Sequence, residues 1–223
     1  MTDLQTKFII DFDSTFTKVE ALDELANIVL KGNKNKSNIE ASIIEITRQA
    51  MEGELSFDKA LSQRLELLSI HQADIDQLIE ILKTKVSDSF IKNKTFLQTH
   101  ANQIYIVSGG FKEFILPVVK PYGIREDHVF ANDFMFDTNK NVIGYNTNNL
   151  LSQPKGKVNL IESLHLQGNI VVIGDGYTDY EIREAGLASA FYLFVENVKR
   201  EHLYNKADKI IDSLNEILEN YNE

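Results

Sequence analysis

Phe8-Ile9-Ile10-Asp11-Phe12-Asp13-Ser14-Thr15 joins an apolar run to two carboxylates one residue apart. The run reads as a buried strand, so its end places charge where charge is costly. Taking an unpaired carboxylate out of water costs roughly as much as a domain's whole net stability, on the order of several kcal/mol. Asp11 and Asp13 are therefore expected to face a cation, a polar cleft or both.

Working outward, apolar runs with strand character recur at 104–107, 170–173 and 191–195, separated by long segments of helical periodicity. This is the α/β alternation of a parallel sheet. The first three runs end at Asp11-Phe12-Asp13, Ser108-Gly109-Gly110 and Gly174-Asp175-Gly176. Ligands of open parallel sheets bind at the carboxyl ends of strands, so these turns are expected to converge on one site.

Roughly ninety residues separate the first two strands, far more than a crossover helix needs. Segments 21–30, 39–52, 57–68 and 73–85 read as amphipathic helices, which makes 18–87 an inserted helical cap between core segments 1–17 and 88–223. The Lys/Asn-rich stretch 31–38 reads as a loop. Segment 89–100 reads as a core helix, and 129–145 as a small β-hairpin turning at Asp137-Thr138-Asn139-Lys140-Asn141. Segment 212–221 reads as a closing helix with Asp212 as N-cap.

Composition narrows the function. The 223 residues are 43% hydrophobic, enough for a sizeable core, and contain no cysteine, which excludes disulfides, thiolate metal sites and cysteine nucleophiles. A net charge of -10 disfavours nonspecific nucleic-acid binding. No run approaches a membrane span and the N-terminus has no signal-like pattern, so no membrane partner is expected and the cytoplasm is the default location.

The turns carry the chemistry. Asp11 fits a nucleophile if cations neutralise an incoming phosphate. Asp13, two positions along an extended chain, returns to the same side, where it can protonate a leaving alcohol and later deprotonate water. Ser108 and Gly109 offer a hydroxyl and an unobstructed N–H near a helix N-terminus. Lys155-Gly156-Lys157 opens a helix, and one lysine could cancel phosphate charge; Lys157 reads as a solvated side chain. Asp11, Asp175 and the backbone carbonyl of Asp13 would suffice for Mg2+, a hard cation that retains several waters, with Asp179 supporting from nearby.

In this order the four turns resemble the motifs of the haloacid dehalogenase-like hydrolases, in particular the phosphoserine phosphatase branch, whose helical cap follows the first motif. The resemblance spans essentially the whole chain. It implies a Rossmann-like core, magnesium dependence and an aspartyl-phosphate on Asp11, with Ser108, Gly109 and Lys155 holding the phosphoryl group and Thr178 among the substrate-binding positions. Ala50-Met51-Glu52-Gly53-Glu54-Leu55-Ser56-Phe57 with Arg64 is similar to that branch's cap segment. It implies Glu20 on a substrate ammonium, Arg64 on its carboxylate, and Met51 and Phe57 as an apolar wall, hence O-phospho-L-serine as the substrate and a monomer or homodimer. An Arg fork suits a carboxylate. Phe191-Tyr192-Leu193-Phe194-Val195-Glu196-Asn197 departs from the family by being bulkier than its usual small-residue stretch.

Three rivals have distinguishing features. A phosphorylatable receiver domain would be about half this length, without the insertion. A noncatalytic relative would have lost a catalytic position. A phosphatase or phosphotransferase for phosphohomoserine or phosphoethanolamine would differ in how it uses Arg64.

Overall fold

β-branched and aromatic residues in short runs favour strands, and those runs build a six-stranded parallel sheet. The structure is a computed structural model that describes residues 6–51 and 54–218, and the side chains of Thr47, Ala50, Met51 and Phe57 lie outside that description. In chain order the main elements are β1 (Lys7–Ile10), α1 (Ala21–Val29), α2 (Lys36–Met51), α3 (Phe57–Glu66) and α4 (Gln72–Lys83). Then come α5 (Asp88–Lys92), α6 (Lys94–Thr99), β2 (Ile104–Phe111), α7 (Lys112–Val119), β3 (Val129–Asn132), β4 (Phe134–Phe136) and β5 (Val142–Tyr145). The chain continues through α8 (Gly156–Ser163), β6 (Ile170–Gly174), α9 (Tyr177–Glu184), β7 (Ala190–Phe194), β8 (Lys209–Ile211) and α10 (Asn215–Leu218).

β1 lies between β2 and β6, in register Phe8 with Ile104 and Val171. Strand order reverses there: β2 and β3 extend to one side, and β6, β7 and β8 to the other. The reversal opens a crevice at the carboxyl end of β1, where Asp11 sits. Side chains alternate across the sheet. Phe8, Ile10 and Ile106 pack on one face with Phe114 and Ile115 of α7; Ile9, Val172 and Phe191 pack on the other with Leu160 of α8 and Ile182 of α9.

Helices α1 to α4 occupy the expected insertion. Ile75, Leu78 and Leu82 form the buried stripe of α4, spaced as one helix face requires, and belong to the same apolar cluster as Leu25 of α1 and Val118 of α7. His71 caps α4: Nδ1 accepts the Ala73 N–H at 3.0 Å, while Asp74 accepts the His71 N–H at 2.8 Å. The inserted helices thus share the core's apolar cluster instead of closing around one of their own.

Several sequence expectations are corrected. Segment 129–145 is not one hairpin. Its first part, β3, pairs parallel with β2 and buries Val129 and Ala131 in the core; only β4 and β5 form the antiparallel hairpin, where Phe134 stacks on Phe111 with centroids 3.7 Å apart. Segment 89–100 is two short helices divided at Asn93, whose side-chain amide donates to the Ser89 carbonyl. β8 is an additional strand. The last described helix starts at Asn215, and the Asp212 N–H donates to Glu216 instead of Asp212 capping a helix. α2 begins at Lys36, inside the expected 31–38 loop.

Candidate active site

Asp11 ends β1 and accepts the Phe12 N–H at 2.8 Å. The following turn places Ser14 in the left-handed region, φ 53°, a conformation that crowds Cβ in ordinary residues. The turn sends Asp13 toward α1, where its carboxylate accepts the Ala21 N–H at 2.7 Å. Ser14 Oγ donates to Glu20 Oε1 at 2.6 Å. One tight turn therefore sets the first acid, the second acid and Glu20.

Against Asp11 lies a buried ammonium, and it is Lys157. Its Nζ is 2.8 Å from Asp11 Oδ1 and 2.7 Å from Asp179 Oδ1. Lys155 is exposed, at φ 56° immediately before α8, on the Glu181 side. This corrects the expectation that Lys155 is the phosphate-side lysine. Lys157 precedes Leu160, Ile161 and Leu164 by three, four and seven residues, the spacing of one helix face; that signal was readable and marked it as inward. Gly156 lets the first turn of α8 pack against the Leu150–Leu151 backbone, since a Cβ there would collide with the Leu150 carbonyl oxygen.

The turn after β6 supplies two further acids. Asp175 Oδ2 accepts from Arg200 Nε at 2.8 Å, and Thr15 Oγ1 is 3.4 Å from Oδ1. Asp179 accepts the Gly176 N–H at 3.1 Å. A side chain at Gly174 would put Cβ 2.2 Å from Asp179 Cγ, so glycine there lets the carboxylate lie flat on the strand end.

Crowded, buried carboxylates hold their protons. Burial, then the charges of Glu20 and Asp11, push Asp13 well above the usual carboxylate range. Burial, then Asp11, raises Asp175 and carries Asp179 up to about 7. Burial alone would lower the Lys157 ammonium; Asp11 and Asp179 outweigh it and raise it instead. This surplus of buried negative charge fits a cation. Asp11, Asp175 and Asp179 each offer an oxygen, all within 4.8 Å of one another, a hard-oxygen set of the kind Mg2+ and Ca2+ favour. The Asp13 carboxylate points instead to Ala21, which leaves its backbone carbonyl as the expected contribution to the metal.

Ser108 ends the straight part of β2, fully buried, and its Oγ accepts the Gly110 N–H at 2.9 Å. Gly109 is held through its carbonyl by Asn132 Nδ2 at 2.9 Å. Thr178 is exposed in the first turn of α9. Asn132 and Arg200 were missed by sequence reasoning; neither lies in a strand-end turn near Asp11, and only β2–β3 pairing and the β7–β8 connection bring them in. Arg200 also lies 3.8 Å from Glu20.

On the inserted helices, Arg64 faces Asp23, Glu20 and Asp13, and burial lowers its guanidinium. Its Nε is buried and has no hydrogen-bond partner among the described residues. The side chains of Met51 and Phe57, expected as an apolar wall, lie outside the described residues.

A strand-end acid pair, a lysine bridging two carboxylates and a second acidic turn on a neighbouring parallel strand define a phosphoryl-transfer hydrolase, and the haloacid dehalogenase-like hydrolase family model matches residues 8–185. The chain belongs to that family. Within it, the chain is 31% identical to human phosphoserine phosphatase over 212 residues, 93% of this chain and 89% of that protein. It is 29% identical to the chloroplastic phosphoserine phosphatase of Arabidopsis thaliana over 90% of this chain, which spans 66% of that longer protein. Among solved structures, a phosphoserine phosphohydrolase-like protein from Francisella tularensis superposes with TM-score 0.82 at 26% identity, covering 96% of this chain and 99% of its own. Among the described residues no helix is long and apolar enough to cross a membrane.

Proposed function

We propose that the chain is a magnesium-dependent phosphomonoesterase that hydrolyses L-phosphoserine to serine and phosphate. In this reading residues 1–17 and 88–223 are the catalytic core and 18–87 the cap. The observation that carries it is the Asp11–Lys157–Asp179 array, a strand-end carboxylate held by one buried ammonium that also binds a second acid.

Asp11 attacks phosphorus. As its bond to phosphorus forms, the ester P–O bond breaks and the seryl oxygen takes the proton of Asp13. The raised affinity of Asp13 for its proton suits it to donate as a general acid at higher pH than a free aspartate could. In the second half-reaction Asp13 accepts a proton from water as that water attacks the aspartyl-phosphate, freeing phosphate and Asp11. Lys157, the Ser108 hydroxyl and the Gly109 N–H offset the charge on the phosphoryl oxygens, with Thr178 at the mouth. Asp11, Asp175 and the Asp13 carbonyl, with Asp179 beside them, would hold magnesium, which would supply Lewis-acid neutralisation of that charge.

The cap reads the alcohol. An α-amino acid presents one cation and one anion, and the chain offers Glu20 for the first and Arg64 for the second. The Arg64 Nε, which has no partner among the described residues, supports this, because a buried donor without an acceptor is costly and a substrate carboxylate would supply one. The names of the relatives point to the same substrate.

The test is phosphate release from L-phosphoserine, phosphohomoserine, phosphoethanolamine and glycerol phosphate, with and without magnesium, with Asp11→Asn as control. A magnesium-dependent preference for L-phosphoserine, lost in Asp11→Asn, is the expected result. Preference for another ester overturns the assignment of Glu20 and Arg64; full activity in Asp11→Asn overturns the nucleophile.

A further inference from the structure

The bulky stretch Phe191-Tyr192-Leu193-Phe194-Val195-Glu196-Asn197 runs along β7 and past its end to Glu196-Asn197, and these two residues grip the place where the cap leaves and re-enters the core. The two connecting segments run side by side. Thr17 and Val86 form an antiparallel bridge, the Lys18 N–H donates to the Lys85 carbonyl at 2.7 Å, and the Ser87 N–H to the Phe16 carbonyl at 2.9 Å. Ser87 Oγ donates to the Thr15 carbonyl at 2.6 Å.

Asn197 is set against both. Its Nδ2 is 2.7 Å from Ser87 Oγ on the returning segment and 3.1 Å from the Ser14 carbonyl on the leaving one. The carbonyls of Thr17 and Thr15 follow at 3.4 and 3.5 Å. An amide nitrogen has two hydrogens to share among these acceptors, so the short pair, one on each segment, defines the clamp. Beside it Glu196 Oε1 accepts the Ser89 N–H at 3.1 Å, at the start of α5.

The clamp bears on chemistry it does not touch. The Ser14 carbonyl belongs to the left-handed residue immediately after Asp13, and Ser14 Oγ holds Glu20. Three residues beyond Asn197, Arg200 reaches Asp175. We propose that Asn197 is a positioning residue: it pins the paired segments as the hinge of the cap, so that the turn carrying Asp13 and Glu20 and the arm carrying Arg64 keep one register. The inference rests on the reading of 18–87 as a cap that recognises the substrate's amino-acid portion.

The experiment compares Asn197→Ala, Asn197→Asp and Ser87→Ala with the parent by peptide-level hydrogen exchange. It adds kcat and KM on L-phosphoserine and on p-nitrophenyl phosphate, which has neither ammonium nor carboxylate for the cap. In Asn197→Ala, exchange in 12–19 and 84–90 should rise about tenfold while β1, β2 and β6 stay protected, as for a local opening. With L-phosphoserine kcat/KM should fall about ten- to a hundredfold, and with p-nitrophenyl phosphate, whose nitrophenolate leaves without the Asp13 proton, it should stay within about threefold, the pattern of lost substrate positioning. Asn197→Asp, of the same shape but with acceptors facing carbonyls, should be at least as impaired as alanine. Unchanged exchange at the two segments overturns the proposal. So does a uniform rise across the sheet with parallel losses on both substrates, which marks a structural role. If Asn197→Ala does not fold, Ser87→Ala decides: the same selective pattern, weaker, supports the hinge, and its absence overturns it. Exchange is read without turnover, so a parent that ignores L-phosphoserine refutes the substrate and still leaves the hinge measurable.

Discussion

The strand ends around Asp11 and the inserted helices around Arg64 are built to opposite specifications. At the sheet edge each charged group already has a partner: Lys157 joins Asp11 and Asp179, and Arg200 holds Asp175. Glycine at 174 lets Asp179 lie against the strand end, and glycine at 156 lets the start of α8 pack on the Leu150–Leu151 backbone. On the inserted helices, Arg64 keeps a buried donor with no partner among the described residues, and Ile44 of α2 is 69% exposed. The strand-end side has its ionic groups paired, whereas the Arg64 side keeps a donor without a partner among the described residues. Preorganised charge suits transition-state stabilisation, whereas an open donor suits recognition.

The sharpest way to break the comparison is at the two lysines. Lys157→Ala should lower turnover by about a thousandfold, since it removes preorganised positive charge from the phosphoryl site. Lys155→Ala should stay within about twofold, as for a solvated surface charge. Steady-state phosphate release from both variants checks this, and equal losses would mean that α8 presents a different face.

Next comes the cap. Arg64→Ala should raise KM for L-phosphoserine by about ten- to a hundredfold, the range of a charge-assisted hydrogen bond, and leave phosphoethanolamine, which lacks the carboxylate, almost unaffected. A common loss on both esters would show that Arg64 supports the cap instead of reading substrate.

Metal tests the surplus charge at the sheet edge. Saturating magnesium should stabilise the protein by about 2–3 kcal/mol at a hundredfold excess over its dissociation constant, read as a rise in melting temperature that chelator reverses. Gly174→Ala, which drives Asp179 off the strand end, should abolish most of that rise and cost about 1–3 kcal/mol by overpacking. The smallest effect is expected at Ile44→Ser, within about 0.5 kcal/mol of the parent in denaturant unfolding because the side chain is already in water.

Much of this site was legible in the chain. Asp11, Asp13, Ser108, Asp175 and Asp179 follow apolar runs, and a run that ends in acids or glycines announces its turn through local chemistry. Four helices of the insertion were readable from their stripes, and β1, β2, β6 and β7 from their composition. β3 was misplaced into a hairpin because a half-buried strand looks the same whichever partner it pairs with; Val129 and Ala131 carry no mark of a parallel neighbour. Lys157 was read as solvated although its spacing to Leu160, Ile161 and Leu164 placed it on the buried face.

Sequence by itself determined the α/β class, the strand-end acids and the insertion, because each depends on residues within a few positions of one another. Only the tertiary structure decided what meets those acids. Lys157 meets Asp179 across 22 residues, Arg200 meets Asp175 across 25, and Asn197 meets Ser14 across 183. Such pairings depend on strand order and helix docking, which apolar burial over the whole chain settles, and no local pattern records which side chains that burial will bring face to face.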